Sequence, residues 1–161
     1  LTPYFQLERG KWLTTLSLPL KAERYFSQQR SFLFFNPSTY LRYKLDYHWT
    51  FSLYGSLKRS AGDFSDLYPG LYQTDYRTWR DGNGLFPTSL TQTYNLYGEY
   101  KNTVQEFFIT AALTYSRSNR NTLFEQSVSE NAIVYTRREL PNHNDSWNLS
   151  STCPKVYTTG I

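Results

Sequence analysis

Between Thr39 and Leu57 the chain alternates with a period of two. Leu41, Tyr43, Leu45, Tyr47, Trp49, Phe51, Leu53 and Leu57 occupy one set of alternate positions, and Arg42, Lys44, Asp46, His48, Thr50 and Ser52 occupy the other. Successive side chains of a strand point to opposite faces, so one face is apolar and aromatic and the other polar. A helix would scatter both sets around its circumference. The run exceeds an ordinary globular strand of ~5–6 residues. Two strands joined by a tight turn at Asp46 to His48 fit it. A transmembrane hairpin, whose strands need roughly 9–11 residues each, fits it as well.

The same alternation recurs along the chain. Tyr4 to Leu7 reads as a short strand, followed by a polar turn at Glu8-Arg9-Gly10-Lys11. Trp12 to Arg24 reads as one further strand, with Trp12, Leu16, Leu18, Leu20 and Ala22 on one face; Pro19 marks a bulge or an edge, because it cannot donate to a ladder. After a polar loop at Ser27 to Arg30, the apolar run Phe32 to Phe35 is closed by Asn36-Pro37-Ser38, a turn signal. Leu90 to Tyr100 and Phe107 to Arg117 alternate again, joined by a turn at Lys101-Asn102-Thr103. Trp147 to Ser151 starts another strand, Cys153-Pro154-Lys155 is a turn, and Val156-Tyr157-Thr158 begins a last strand. Two stretches lack the pattern, about 59–88 and about 118–144, and both are expected to be long loops. Within the second, Ser127 to Val134 has room for a small hairpin.

The connections alternate in length. Short ones fall near Gly10, Tyr47, Asn102 and Pro154, and longer ones near Gln28, Gly70 and Thr122. Seven strands and the start of an eighth, in an antiparallel up-and-down meander with tight turns at one end and long loops at the other, are the layout of an outer-membrane β-barrel. Such a chain is expected to form part of a transmembrane barrel domain covering residues 1–161, with short periplasmic turns and long extracellular loops. Aromatic residues cluster near the tight turns: Tyr43, Tyr47, Trp49 and Phe51, then Tyr97, Tyr100, Phe107 and Phe108. Rings with an apolar body and a polar tip form girdles at membrane interfaces. On this reading Leu41, Tyr43, Leu45, Phe51, Leu53, Leu96, Ile109 and Leu113 face lipid, and Arg42, Lys44, Asp46 and Glu99 face the lumen. Those charges suit a wide or plugged lumen better than the dry interior of an eight-stranded barrel.

Composition supports this direction and removes others. Tyr, Phe and Trp make up 19% of 161 residues, and Met is absent, so the chain is expected to be processed or excised from something longer. No apolar run approaches the ~18 residues of a transmembrane helix, which says nothing against a barrel. The net charge of +4 is spread without a basic stripe, so no nucleic-acid partner is expected. Cys153 is the single cysteine and has no Cys or His at metal-ligand spacing, so neither a disulfide nor a metal nor a cofactor is expected.

No catalytic residue emerges. His48 lies beside Asp46 and Ser52 in sequence, but same-face neighbours of a strand sit roughly 7 Å apart, too far for a relay. Asp63 and Asp66, and Asp81-Gly82-Asn83-Gly84, read as turn chemistry; the last lacks the closing Glu of a calcium loop. The chain is therefore not expected to be an enzyme. The best candidate for ligand contact is the first loop, through Tyr68, Tyr72, Tyr76, Trp79 and Asp81. Aromatic planes among hydrogen-bonding neighbours suit a sugar, a peptide or a protein partner, and a self-packed loop would use the same residues.

Several segments resemble one family. Asn36-Pro37-Ser38 followed by Leu41-Arg42-Tyr43-Lys44-Leu45 is similar to a strand start in the TonB-dependent outer-membrane receptors of Gram-negative anaerobes that carry a carboxypeptidase-regulatory-like domain. Asp66-Leu67-Tyr68-Pro69-Gly70, Tyr76-Arg77 and Asn83-Gly84-Leu85-Phe86-Pro87 resemble the following loop, and Tyr100-Lys101-Asn102 with Phe107-Phe108 the next tight turn and strand. The resemblance implies a fragment from the C-terminal half of a large barrel and uptake of a solute into the periplasm. It implies outer-membrane lipid, the rest of the barrel, a plug domain, the TonB complex and a surface lipoprotein as partners. Neither a plug domain nor a TonB box is visible, and the chain stops at Thr159-Gly160-Ile161 without a terminal aromatic. The competing expectation is a soluble β-sandwich that binds a glycan or protein through exposed aromatics. There Leu41/Tyr43/Leu45 and Leu90/Tyr94/Leu96 would meet inside a core. A barrel enzyme would need loop-borne acid and base residues that the sequence does not assemble.

Overall fold

The computed structural model describes residues 2–25, 30–62, 70–82, 85 and 87–153. They form strands and no helix. The strands are β1 (Tyr4–Arg9), β2 (Trp12–Ser17), β3 (Leu20–Tyr25), β4 (Arg30–Phe35), β5 (Ser38–Lys44), β6 (Trp49–Ala61), β7 (Gly70–Asp75), β8 (Thr78–Gly82), β9 (Thr88–Asn102), β10 (Phe107–Val128) and β11 (Ile133–Thr152). Nine belong to one open sheet in the order β1-β2-β5-β6-β9-β10-β11-β8-β7, and β3 and β4 form a small sheet of their own. The sheet does not close on itself into a barrel.

The chain divides into two compact units. The first comprises Leu1–Lys58, Gln92–Arg117 and Asp145–Ile161, and the second Arg59–Thr91 and Ser118–Asn144.

In the first unit the meander is antiparallel. Tyr4 to Arg9 pair with Ser17 to Trp12, Trp12 to Ser17 with Tyr43 to Ser38, and Ser38 to Lys44 with Ser56 to Thr50. Gly10, at a φ of +58°, opens the two-residue turn between β1 and β2, where a left-handed conformation at the first position matches the twist of the strands. Asp46 closes the next turn: its Oδ1 accepts the N–H groups of His48 at 2.8 Å and Trp49 at 2.7 Å. Asn102 repeats the device, its Oδ1 accepting from Val104 and Gln105, each at 3.1 Å. Short polar side chains that bond the backbone two and three residues ahead favour such turns.

The expected strand from Trp12 to Arg24 is broken. Leu18 and Pro19 separate β2 from β3, and Asn36 and Pro37 separate β4 from β5. Leu18 N–H donates to Pro3, and Asn36 N–H to Pro19. With a proline at each junction the ladder cannot continue, so β3 and β4 leave the sheet as a separate hairpin. Phe34 of this hairpin is the buried apolar side chain among the described residues.

In the second unit the expectation of two irregular loops is corrected. Residues 118–144 are mostly strand: β10 continues to Val128 and β11 begins at Ile133. Ser129 N–H donates to the Ala132 carbonyl and closes the tight turn between them, within the expected small hairpin at Ser127 to Val134. Within 59–88, β6 runs to Ala61, and β7 pairs with β8 as an antiparallel hairpin with a bulge between Gln73 and Asp75. β8 then lies parallel to β11, with Thr78 to Asp81 beside Ile133 to Thr136, so the meander is not purely up-and-down. Polar composition hid these strands, because alternation is legible only where one face is apolar. The expected features near Gln28, Asp63, Asp66, Tyr68, Asn83 and Pro154 lie outside the described residues.

Candidate functional site

The informative surface of the first unit is one face of its sheet. Register assigns each residue to a side. Tyr43 pairs with Trp12 and Phe51, Leu41 with Thr14 and Leu53, and Arg42 with Leu13 and Ser52. Between β6 and β9, Lys101 N–H reaches the His48 carbonyl, Trp49 lies 4.9 Å from Tyr100 ring to ring, and a Cβ at Gly98 would sit 3.5 Å from the Phe51 ring. These contacts place Trp49, Phe51 and Leu53 beside Tyr100, Gly98 and Leu96. Between β9 and β10, Asn95 Nδ2 donates to Thr114 at 2.6 Å and the rings of Tyr94 and Tyr115 stack at 6.4 Å. The next strand follows, with Tyr115 and Trp147 at 4.5 Å.

One side of the unit therefore carries Trp12, Leu16, Leu41, Tyr43, Phe51, Leu53, Leu96, Ile109, Leu113 and Tyr115. The other carries Arg42, Lys44, Ser52, Asn95, Glu99 and Thr114. Phe51 is 38% exposed, Leu53 44%, Leu96 51% and Leu113 37%. Aligned over neighbouring strands, these apolar side chains are each more than a third exposed. The sandwich expectation required Leu41 and Tyr43 to meet Tyr94 and Leu96 inside a core; in this unit they share one side of one sheet.

Aromatic residues occupy two bands of that face. Beside the tight turns Trp12 and Tyr43 meet at 4.3 Å and Trp49 and Tyr100 at 4.9 Å, with Phe107 6.0 Å from Tyr100. Six residues along β9, Tyr94 begins the second band with Tyr115 and Trp147, roughly 20 Å away at strand rise. Tyr115 Oη donates to the Asp145 carboxylate at 3.1 Å, and Arg117 lies 3.7 Å from the same group. Between the bands lie Leu41, Leu53, Leu96 and Gly98, with Thr14 beside Leu41.

The expected facing groups are mostly together. Leu41, Tyr43, Phe51, Leu53, Leu96, Ile109 and Leu113 share the apolar side, and Arg42, Lys44 and Glu99 share the polar one. Two expectations are corrected. Asp46 lies in the turn and faces neither side of the sheet, because its carboxylate is held by the backbone N–H groups ahead of it. Leu45 is beyond the end of β5, its N–H bonded to Trp49 across the turn. The expected aromatic clusters are divided by parity: Tyr97 and Phe108 lie on the polar side, where Lys101 Nζ sits 5.8 Å from the Phe108 ring, and Tyr47 is wholly exposed in the turn. Sequence reading missed the second band, since Tyr94, Tyr115 and Trp147 are brought together only by pairing across three strands.

Of the expected ligand contacts in the second unit, Tyr68 lies outside the described residues. Tyr72 pairs with Arg80 and Gln73 with Trp79, so Tyr72 faces the side opposite Trp79 and Asp81. Tyr76 is exposed at the turn of the hairpin, with its N–H bonded to Asp75. These side chains do not converge on one site. His48 stacks on Tyr100 at 5.8 Å, in the turn rather than in any relay with Ser52. Cys153 is exposed. Among the described residues no group of His, Cys, Asp and Glu is arranged to hold a metal ion.

No protein-family model, curated protein or solved structure matches the chain.

Proposed function

We propose that this chain is the wall and loop segment of an outer-membrane β-barrel, of the kind found in TonB-dependent receptors that admit a solute to the periplasm. One observation carries the reading: in the first unit, a sheet with a half-exposed apolar side bounded by two aromatic bands, and Arg42, Lys44 and Glu99 on the opposite side. Isolated apolar residues on a surface are ordinary, but a contiguous apolar face calls for a covering medium. Lipid suits it because the backbone of such a sheet is satisfied between strands and the aromatic bands suit the interfaces. β6, β9, β10 and β11, at 13, 15, 22 and 20 residues, exceed the roughly 9–11 that a membrane strand needs. β1, β2 and β5, at 6, 6 and 7, do not reach that length.

The open edges fit a partial barrel. β1 is an edge strand, and β8 pairs with β11 only along Ile133 to Thr136. The rest of the barrel would complete these edges, a plug domain would fill the lumen beside Arg42, Lys44 and Glu99, and the TonB complex would act through other parts of the parent. A surface lipoprotein is a further partner of this reading. It assigns no catalytic step and no cofactor to the chain.

The test uses cysteine labelling in a Cys153→Ser background. Tyr43→Cys should react with a lipid-soluble reagent in native membranes, and Arg42→Cys only with a water-soluble one. The reverse pattern, or a parent protein found outside the membrane, would sink the proposal.

A further inference from the structure

At its tight-turn end the first unit holds a cavity of about 670 Å³ lined by Lys11, Lys44, Asp46, Tyr47 and Thr50. That size lies within the roughly 300–1,000 Å³ of small-molecule sites. The turn between β1 and β2, the end of β5 with its own turn, and the start of β6 build it. Lys44 N–H donates to the Lys11 carbonyl at 2.9 Å, and Leu45 N–H to the Trp49 carbonyl at 3.0 Å. Lys44 lies in register with Thr50. Lys11 Nζ donates to the Leu45 carbonyl, which draws the ammonium of the first turn over the second. Asp46 is held by one oxygen, since Oδ1 accepts the His48 and Trp49 N–H groups.

What those bonds leave open defines the site. An ammonium has three donors, and Lys11 uses one of them on Leu45. Among the described residues, Lys44 Nζ, Thr50 Oγ1 and Asp46 Oδ2 make no hydrogen bond or ion pair. The cavity therefore offers an occupant two ammonium groups, a hydroxyl and one carboxylate oxygen. Lysine binds phosphate as a point charge, and two ammoniums with a hydroxyl suit a group that carries three acceptor oxygens. The carboxylate in the same cavity repels a bare anion and attracts a cation. A ligand that carries both charges answers the whole lining.

We propose that this cavity binds a phosphorylated amine, a phosphate monoester with its phosphate on Lys11, Lys44 and Thr50 and its ammonium on Asp46 Oδ2. The lysines supply attraction to the phosphate. The aspartate selects for the amine, because an anion without one leaves that carboxylate facing like charge. The inference stands on the first unit's turns alone and does not depend on membrane insertion.

The experiment is calorimetric titration of the full-length protein with phosphoethanolamine, inorganic phosphate and glycerophosphoethanolamine at neutral pH and one ionic strength. Phosphoethanolamine should bind at least about tenfold more tightly than inorganic phosphate, as expected for one added charge-assisted hydrogen bond. Lys44→Gln should weaken both by about tenfold while the unfolding midpoint stays in place, and Lys44→Arg should restore part of the loss. Asp46→Asn keeps an Oδ1 acceptor for the turn and removes the charge. It should bring phosphoethanolamine down to the affinity of inorganic phosphate. Glycerophosphoethanolamine, the diester of a lipid headgroup, should bind more weakly than the monoester, having lost one charged oxygen. Undetectable binding of phosphoethanolamine, or an affinity no higher than that of inorganic phosphate, would overturn the proposal. So would a Lys44→Gln variant that binds like the parent. A diester bound more tightly than the monoester would overturn it in favour of a lipid headgroup. The labelling of Tyr43→Cys reads membrane insertion separately, so either reading can fail without the other.

Discussion

Phe51 lies across Gly98 on the neighbouring strand, where a Cβ built on the glycine would meet the ring at 3.5 and 3.6 Å. Gly55 has the same relation to Tyr94, whose ring lies 3.6 Å from the corresponding point. Each glycine is thus roofed by an aromatic ring from the strand beside it. Such a pairing compensates for the missing side chain in a sheet. Gly98 has no left-handed backbone to preserve, and its added methyl would make ordinary contact. Gly98→Ala should therefore stabilise the protein by about 0.5–1 kcal/mol, read from the urea midpoint. A bulkier Gly98→Leu should displace the Phe51 ring and cost stability.

Gly10 behaves differently. Its φ of +58° is left-handed, and open space surrounds the position of a Cβ. The penalty for Gly10→Ala is backbone strain alone, about 1–2 kcal/mol. The unfolding midpoint of this variant should fall, and Gly10→Asn should lose less, because Asn tolerates that conformation.

Asp46 gives the first unit an acid-sensitive turn. The backbone N–H groups of Trp49 and His48 hold its carboxyl below the ordinary value of 3.8, with smaller help from the charges of His48 and Lys11. A depressed folded value means the bonds favour the charged form, so the contribution is complete above the unfolded value and disappears as pH falls through the folded one. The His48 and Trp49 amide resonances should shift together below pH 3.8, and Asp46→Asn should abolish the shift. A pH-independent pair of amides in the parent would contradict this.

Glu106 occupies the left-handed region at a φ of 50° without being glycine, in the turn that Asn102 organises. Glu106→Gly should relieve strain and raise stability by about 0.5–1 kcal/mol, after the extra entropy of glycine in the unfolded chain is offset. Asn102→Ala should act oppositely, since Val104 and Gln105 lose their acceptor.

The two sides of the sheet predict opposite tolerance to charge. Leu53→Arg places a cation among Leu41, Leu96 and Phe51 on the proposed lipid side and should cost about 2–4 kcal/mol if it lies near the bilayer midplane. Ser52→Arg, one residue away, joins Arg42 on the other side and should change stability little. Urea unfolding of both variants reinserted in lipid checks the difference; similar costs would argue against a lipid-facing Leu53.

Some of this was legible in the residues alone. Alternation over Thr39 to Leu57 assigned Arg42 and Tyr43 to opposite sides, because the pleat imposes that separation whatever the partners. The turns at Gly10, Asp46 and Asn102 were also legible, since their chemistry is local. Which strands neighbour one another was not. Trp147 meets Tyr115, and Phe51 covers Gly98, only through pairing between distant segments. Residues 118–144 looked irregular because both of their sides carry polar groups, and a period of two is visible only when one side is apolar. Arg80, Arg137 and Phe124 converge there through cross-strand geometry, including the parallel register of β8 on β11. The sequence by itself determined the two-sided strand and its tight turns, through steric alternation and local hydrogen bonding. The tertiary structure alone decided strand order, the departure of β3 and β4, and the meeting of Arg80 and Arg137 on the Phe124 ring, because backbone pairing between remote segments leaves no local mark.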